Sequence, residues 1–228
     1  MARPVIFVLA GVNGAGKSSV LGATLKAKGL DWFNPDQFSR LLMERSMHSK
    51  AAADAEAWNY GKSRLDQAIA RKTSFAFETT LGGNTMAQAI QRAARTHDVH
   101  MIYCGLDTVE RHIARVKLRT QHGGHDIPEE RIRQRFKAAP LNLVALMPRL
   151  AWLQVFDNSE DAAPGAPVPD PILVLEIKDG VVLHPKASDQ QALTRIPAWA
   201  KPLVEAALRM SAKPPEPSPP KPKTRRHR

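Results

Sequence analysis

Short apolar runs alternate with longer segments of helical periodicity along this chain, which is the pattern of an α/β domain. Residues 4–10 form a continuous apolar, β-branched run, as expected of a strand that is buried on both faces. Further strands are predicted at 31–34, 74–78, 99–106 and 152–156. Helices are predicted at 17–28, 36–45, 51–71, 84–96, from a cap at 107 or 108 to 120, and from Pro128 until Pro140 kinks or ends the helix. This order predicts a mostly parallel sheet in a three-layer fold, with helices on both faces.

The pattern also divides the chain. A core at 1–158 contains a flexible segment near 120–128, and a linker rich in Pro, Ala, Gly and acidic residues follows at 159–171. Two apolar runs at 172–177 and 181–184 flank Lys178-Asp179-Gly180 and predict a hairpin. A helix from about 202 to 210 then completes a C-terminal unit at 172–210.

The net charge of +11 over 228 residues is concentrated at the C-terminus, where residues 211–228 carry six basic residues and one acid. The same segment holds six of the 18 prolines. We therefore expect a disordered, solvated tail. A solubilising role is favoured over weak attraction to nucleic acid or anionic lipid, because no aromatic side chains are interleaved for base stacking.

Two further features concern the compartment. Cys104 is the single cysteine, so no internal disulfide can form. The apolar run near the start is short and leads into a glycine-rich loop rather than a cleavage site, and no run reaches the roughly 18 residues of a membrane helix. We expect a soluble, cytoplasmic, monomeric protein.

The strongest motif is Gly-Val-Asn-Gly-Ala-Gly-Lys-Ser at 11–18, which matches G-x-x-x-x-G-K-[ST] between a predicted strand and a predicted helix. In such a loop, backbone N–H groups and the helix N-terminus bind a polyphosphate. We expect Lys17 to reach the β- and γ-phosphates of ATP and Ser18 to bind Mg²⁺. The predicted nucleotide-binding residues are Gly11, Asn13, Gly14, Ala15, Gly16, Lys17, Ser18 and Ser19. The alternative is an ordinary strand–helix turn with an incidental lysine.

Other motifs restrict the reaction class. An ABC-type ATPase would need its signature segment and a longer insertion, and a GTPase would need an N-K-x-D-type motif; the chain has neither. A small kinase that transfers the γ-phosphoryl group to an alcohol remains.

Candidate acidic and hydroxyl groups follow two predicted strands. Asp36 comes after the second strand and is read either as the base that activates the acceptor hydroxyl or as a helix N-cap. Glu78 ends the third strand, where a carboxylate is costly unless it is paired or faces a cleft. It would bind substrate hydroxyls or reach Mg²⁺ through water. Thr79 and Thr80 either bind substrate or satisfy the turn.

Arginines recur at helical spacing on both sides of Gly123-Gly124, a sequence that suits a closing lid. They are Arg111, Arg115 and Arg119 before the glycines, and Arg131 and Arg135 after them. Arg119 and Arg131 are the leading candidates to bind the γ-phosphate. Arg115 and Arg135 are candidates to bind the substrate. A solvated basic helix face is the alternative for at least half of them. A zinc site at His122 and His125 is disfavoured because no complementary ligand cluster lies nearby.

The ordered motifs resemble those of the zeta-toxin-like P-loop kinases. They are residues 8–18, Asn34-Pro35-Asp36, Phe77-Glu78-Thr79-Thr80, Arg115 to Arg119, 123–128 with Arg131, and Asp157-Asn158-Ser159. The resemblance covers residues 4–159 and implies an ATP-dependent kinase. It implies a UDP-activated amino sugar, such as UDP-N-acetylglucosamine, as acceptor, and an antitoxin protein as partner. It also implies that Lys17 and Ser18 serve ATP and Mg²⁺, Asp36 is the base, Glu78 and Thr79 contact substrate, and the lid arginines bind phosphate.

Two alternatives remain open at this level. The first is a P-loop kinase acting on another small molecule or on a polynucleotide end. The second is a non-catalytic, nucleotide-gated protein that binds nucleic acid through its basic tail.

Overall fold

The computed structural model describes residues 2–18, 22, 32–45, 49–122, 126–161 and 169–212. The strands are β1 (Val5–Ala10), β2 (Phe75–Thr79), β3 (Asp98–Gly105), β4 (Trp152–Asp157), β5 (Ile172–Lys178) and β6 (Val181–His184). The helices are α1 (Pro35–Arg45), α2 (Lys50–Arg71), α3 (Asn84–Ala93), α4 (Val109–Gln121), α5 (Glu129–Leu146), α6 (Gln190–Thr194) and α7 (Lys201–Ser211). A short 3₁₀ helix, Met147–Arg149, follows α5.

All six strands belong to one sheet, in the order β2-β1-β3-β4-β5-β6. The first four strands are parallel, whereas β5 and β6 pair antiparallel. The predicted α/β fold with a mostly parallel sheet is confirmed. The predicted hairpin is also confirmed, and its strands extend the same sheet. It turns at Asp179 and Gly180, both of which have positive φ as a tight hairpin turn requires.

The predicted second strand is wrong as a full strand. Within the described residues of that segment, only Phe33 pairs with the sheet, through a single parallel bridge to Phe77. The chain leaves the sheet at the next residue, because the Asn34 side-chain oxygen accepts a hydrogen bond from the N–H of Gln37 at 3.1 Å and so caps α1. Pro35 then begins the helix, a position where its missing N–H costs nothing.

Of the two alternatives predicted at Pro140, a kink or the end of the helix, the end is wrong, since α5 continues to Leu146. An internal proline costs a helix about 3 kcal/mol. The second half of α5 buries Leu143 and Leu146 in the main core, which offsets this cost. The short helix α6 was not predicted.

Two hydrophobic clusters lie on opposite faces of the sheet, because side chains alternate along each strand. Ile6, Val8 and Ala10 of β1 point into the larger cluster, with residues of α3, α5 and α7. Leu9 points into the smaller cluster, with Ile102 and Cys104 of β3. The predicted tail lies outside the described residues from 213 onward. Among the helices described, none combines the length and apolar character needed to span a bilayer.

Candidate functional site

The loop at 11–18 begins where β1 ends, between β2 and β3. The N–H of Gly11 donates to the carbonyl of Thr79 at 3.2 Å. Gly11 has a φ of 140°, and a Cβ there would lie 2.2 Å from the carbonyl oxygen of Cys104. Only glycine can therefore occupy this position, and it sets the loop at the carboxyl ends of the parallel strands, where ligands bind in such sheets.

Buried side chains donate hydrogen bonds to carbonyl groups of the loop. His112 Nδ1 donates to the carbonyl of Asn13 at 2.8 Å. Asn158 Nδ2 and Cys104 Sγ donate to the carbonyl of Ala15 at 2.9 and 3.0 Å. Because the C=O and N–H of a trans peptide point in opposite directions, the N–H groups of Gly14 and Gly16 point away from these donors. The arrangement orients main-chain N–H groups as an anion site requires.

Two of these donors, His112 and Cys104, are titratable groups, and both are uncharged near pH 7. Burial lowers the pKa of His112 to about 4, so its imidazole is neutral near pH 7. Burial raises the pKa of the Cys104 thiol to about 12, so the thiol is not a reactive nucleophile. Both side chains therefore position the loop and carry no charge into the site.

Lys17, Ser18 and Glu78 form a largely buried cluster at the end of the loop. Lys17 Nζ lies 3.5 Å from Glu78 Oε1 and donates to the carbonyl of Val12 at 3.3 Å. Ser18 Oγ donates to Glu78 Oε2 at 2.7 Å. The charges of Lys17 and Glu78 offset each other, as two charged groups that are 6% and 7% exposed must.

Two side chains from the segment before α1 complete the cluster. Asn34 Nδ2 lies 2.9 Å from Glu78 Oε2 and 3.2 Å from Ser18 Oγ. Trp32 Nε1 donates to Glu78 Oε2 at 3.4 Å. The sequence did not single out Asn34 or Trp32 as site residues. A polar residue followed by proline at the end of an apolar run was the available signal for Asn34.

The Ser18 hydroxyl and Glu78 carboxylate fit a magnesium ion. Mg²⁺ prefers oxygen ligands and is held in kinase sites by one or two protein oxygens beside substrate phosphates. The two oxygens face each other next to the Lys17 ammonium group. Glu78, for which the sequence left open substrate hydroxyls or Mg²⁺ through water, thus lies beside the predicted metal ligand.

Asp36 lies in the first turn of α1 and is half-buried. The cap of this helix is Asn34, so the alternative reading of Asp36 as the N-cap is wrong. The negative charge of Asp36 acts on Arg135 of α5. Asp36 therefore lies two residues after Asn34, which contacts Glu78, and its charge interacts with that of Arg135 on α5.

Arg135 joins α5 to the loop, because its Nη1 donates to Asn13 Oδ1 at 2.6 Å. Burial lowers the pKa of Arg135, and Asp36 opposes that effect. Its stem packs on the turn after β2, where a Cβ on Gly82 would lie 2.4 Å from Arg135 Cγ. Arg131 lies one turn earlier, is exposed, and its positive charge also acts on Arg135.

The arginines of α4 share one face, as predicted. Arg115 bonds to Asp161 at 2.6 Å and to the carbonyl of Asn158 at 2.8 Å. Arg111 pairs with Asp161 as well, and with Asp107 at 2.8 Å. Arg119 is exposed in the last turn of the helix. This face therefore anchors the segment that follows β4.

The remaining predicted site residues are placed as follows. Thr79 Oγ1 accepts from the N–H of Leu81 at 3.1 Å, and Thr80 Oγ1 accepts from the N–H of Gly82 at 3.5 Å, so both hydroxyls take part in the turn. His122 Nδ1 donates to the carbonyl of Leu118 at 2.9 Å. Ser19, Gly123, Gly124 and His125 lie outside the described residues.

Comparisons with known proteins place this geometry in a family. The model of the family described as Zeta toxin matches residues 1–163. An uncharacterized protein from Haemophilus influenzae is 31% identical over 133 residues, which is 55% of this chain and 88% of that protein.

Solved structures match the fold. The AvrRxo1-ORF1:-ORF2 structure with ATP is 18% identical, with a TM-score of 0.61 over 87% of this chain and 64% of that one. The AvrRxo1-ORF1:AvrRxo1-ORF2 structure with sulphate ions is 17% identical, with a TM-score of 0.60 over 86% of this chain and 64% of that one. This chain thus spans less than two thirds of those proteins. Because the family model matches well over half of the chain, the protein belongs to the zeta toxin family of P-loop kinases.

Proposed function

We propose that the protein is an ATP-dependent kinase that transfers the γ-phosphoryl group to a hydroxyl of a UDP-activated amino sugar. The observation that carries the proposal is the buried Lys17–Ser18–Glu78 cluster at the end of the phosphate loop. A phosphate loop alone supports nucleotide binding. A lysine, a serine hydroxyl and a carboxylate together at its end support transfer of phosphate.

Each group has a distinct task in this proposal. The main-chain N–H groups of the loop bind the phosphates, and Lys17 exchanges its contact with Glu78 for the β- and γ-phosphates. Ser18 and Glu78 would hold Mg²⁺, which neutralises charge on the phosphates when it is bound. Asp36 accepts the proton of the acceptor hydroxyl, and Arg135 stabilises the negative charge that spreads over the transferred group. Arg119 and Arg131 would bind the same group from the lid.

The acceptor and partner are inferred from the family. The resemblance points to a UDP-activated amino sugar such as UDP-N-acetylglucosamine, with Glu78 and Thr79 among its contacts. Thr80 and Arg115 are further candidate contacts from their positions in the sequence. The AvrRxo1-ORF1 structure with ATP supports ATP as the nucleotide. Its complex with AvrRxo1-ORF2 supports a protein partner, which would here be an antitoxin.

The test is an acceptor screen with radiolabelled ATP and Mg²⁺, using UDP-N-acetylglucosamine, other UDP-sugars, simple alcohols and 5′-hydroxyl oligonucleotides. We expect label on a UDP-amino sugar and none with Asp36→Asn, which keeps the side-chain shape but cannot accept the proton. Transfer to an oligonucleotide would replace the proposed acceptor with a polynucleotide end. If the protein binds ATP but labels none of these acceptors, the kinase proposal itself is contradicted.

A further inference from the structure

Residues 172–212 pack against the strand end that supports the phosphate loop. β5 pairs with the whole length of β4, and Ile172 lies opposite Asp157, the last residue of β4. The helix α7 buries one face in the main core. The family match ends at residue 163, so these residues lie beyond the part of the chain that carries the predicted site residues.

Trp199, in the turn before α7, contacts this strand end directly. Its ring lies against Gly105, where a Cβ would come within 2.3 Å of it, and its Nε1 donates to Asp157 Oδ1 at 3.0 Å. The turn itself is closed by the N–H of Ala200, which donates to the carbonyl of Pro197 at 2.9 Å. Packing and the hydrogen bond together fix the indole ring, and through it the side chain of Asp157.

Hydrogen bonds lead from this strand end to the phosphate loop. Asn158, the residue after Asp157, is 5% exposed, and its N–H donates to the carbonyl of Gly105 at 3.0 Å. Its Nδ2 donates to the carbonyl of Ala15 at 2.9 Å. Because the C=O and N–H of one peptide point in opposite directions, this bond directs the N–H of Gly16 away from Asn158 and toward the proposed phosphates.

We infer that Trp199 is a positioning residue of the nucleotide site. By holding Gly105 and Asp157, Trp199 fixes the main chain from which Asn158 reaches the loop. Asn158 in turn fixes the peptide that joins Ala15 to Gly16. Groups that bind a ligand must be held to within about 0.5 Å, so loss of this support weakens phosphate binding. This role of Trp199 rests on the proposed ATP site.

Isothermal titration calorimetry of the full chain with ATP and Mg²⁺ compares two variants that remove the same group at opposite ends of β4. Trp199→Phe removes the N–H that holds Asp157, at the end beside the loop. Trp152→Phe removes an N–H that donates to Glu176 Oε1 at 3.1 Å, at the other end of the strand. Both variants should lower the urea midpoint, because both lose a hydrogen bond and part of a packed ring.

ATP affinity should separate the two variants. We expect Trp199→Phe to weaken ATP binding at least about threefold, as loss of one hydrogen bond that orders the site would. Trp152→Phe should change ATP affinity by less than about twofold, since its hydrogen bond does not lead to the loop. Equal ATP affinity in the wild type and Trp199→Phe, or an equal loss in both variants, would overturn the positioning role.

A double-mutant cycle tests the route through Asn158. Asn158→Ala removes the bond to the carbonyl of Ala15 and should weaken ATP binding by itself. Because Trp199 acts through Asn158, the double variant Trp199→Phe/Asn158→Ala should bind ATP no more weakly than Asn158→Ala alone. Additive losses in the double variant would show that Trp199 acts independently of Asn158 and would refute the route.

Gly105→Ala repeats the test without removing any hydrogen-bonding group, and serves if Trp199→Phe does not fold. Gly105 does not have a positive φ, so its backbone accepts alanine. The added Cβ lies 2.3 Å from the Trp199 ring and must displace it. ATP binding should again weaken at least about threefold. A folded Gly105→Ala protein with wild-type ATP affinity would contradict the role of Trp199.

The behaviour of the wild type distinguishes the two ways of failing. If the wild type binds ATP and the variants at Trp199 and Gly105 bind it equally well, only the role of Trp199 is refuted and the kinase proposal stands. If the wild type binds no ATP, the nucleotide site is refuted and the role of Trp199 with it.

Discussion

Glu78 is the residue on which the candidate site depends most. It lies near the end of β2, is 7% exposed, and faces both Lys17 and Ser18. In the absence of nucleotide its carboxylate offsets the Lys17 charge, which would otherwise be buried without a counter-charge. When ATP binds, the same carboxylate lies beside negatively charged phosphates unless a cation intervenes.

We therefore expect Glu78→Gln to separate ATP affinity from turnover. Without Mg²⁺ the variant should bind ATP up to about tenfold more tightly, because a negative charge beside the phosphates is removed. With Mg²⁺ its turnover should fall at least about 100-fold, because the variant loses the negatively charged carboxylate that is proposed to hold the metal ion. Calorimetry in EDTA and steady-state kinetics in Mg²⁺ measure the two effects.

The matched control is Glu110→Gln, which removes an exposed carboxylate that pairs with Arg133 at 3.0 Å. This change should alter neither quantity, since exposed pairs contribute little. Wild-type turnover in Glu78→Gln, with no change in ATP affinity, would reduce Glu78 to a structural role.

At the scale of elements, α5 is held against the phosphate loop by close packing on the turn after β2. Gly82 admits the stem of Arg135, because its hydrogen leaves space that a methyl group would fill. Asn142 of the same helix donates to the carbonyl of Leu81 at 2.9 Å. These contacts set where the Arg135 guanidinium meets Asn13.

Substitution of two adjacent glycines tests this packing. Gly82→Ala should lower the free energy of unfolding by about 1–3 kcal/mol, because a Cβ overpacks against Arg135. It should also lower kcat, since Arg135 must move. Gly83→Ala has no atom within 4 Å of the new Cβ and should change stability by less than about 1 kcal/mol. Urea unfolding and kinetics on both variants give the comparison, and equal effects would contradict the assigned packing.

The spacing of apolar residues along the chain was sufficient to predict most strands and helices, but not the contacts between them. The runs at β1 to β4 were predictable because buried parallel strands are apolar throughout. The strand at 31–34 and the end at Pro140 were misjudged because capping by Asn34 and burial of Leu143 decided them. The bond between Arg135 and Asn13 joins residues 122 positions apart, which no local pattern specifies.

At the scale of the whole molecule, one buried histidine couples the phosphate loop to global stability. His112 bonds to the carbonyl of Asn13, contacts Phe136 of α5, and has its pKa lowered to about 4 by burial. The motif at 11–18 was readable from the sequence alone, but this support was not. A histidine within a basic helix gives no sign that it is buried.

Stability should therefore fall as the pH decreases from 7 to 4.5. The folded-state pKa of His112 lies below its unfolded value, so the unfolded chain takes up a proton first as the pH falls. Between pH 7 and pH 4.5 this linkage removes roughly 2–3 kcal/mol. Burial also lowers the pKa of His100, which adds to the same trend.

Urea unfolding at both pH values checks this linkage. His112→Asn has no imidazole to titrate, so its stability should depend less on pH by about the amount that the linkage removes. The same pH dependence in both proteins would show that His112 is not responsible.

The most direct test of the account is the binding of ATP with Mg²⁺, measured by calorimetry on the wild type, Lys17→Ala and Asp36→Asn. Lys17 is proposed to hold the phosphates, whereas Asp36 is proposed to act only on the acceptor hydroxyl. We predict that Lys17→Ala weakens ATP binding at least about 30-fold, since a charge-assisted contact worth about 2 kcal/mol or more is lost. Asp36→Asn should bind ATP as the wild type does while transferring no phosphate. Unchanged ATP affinity in Lys17→Ala would contradict the assignment of residues 11–18 as the nucleotide site.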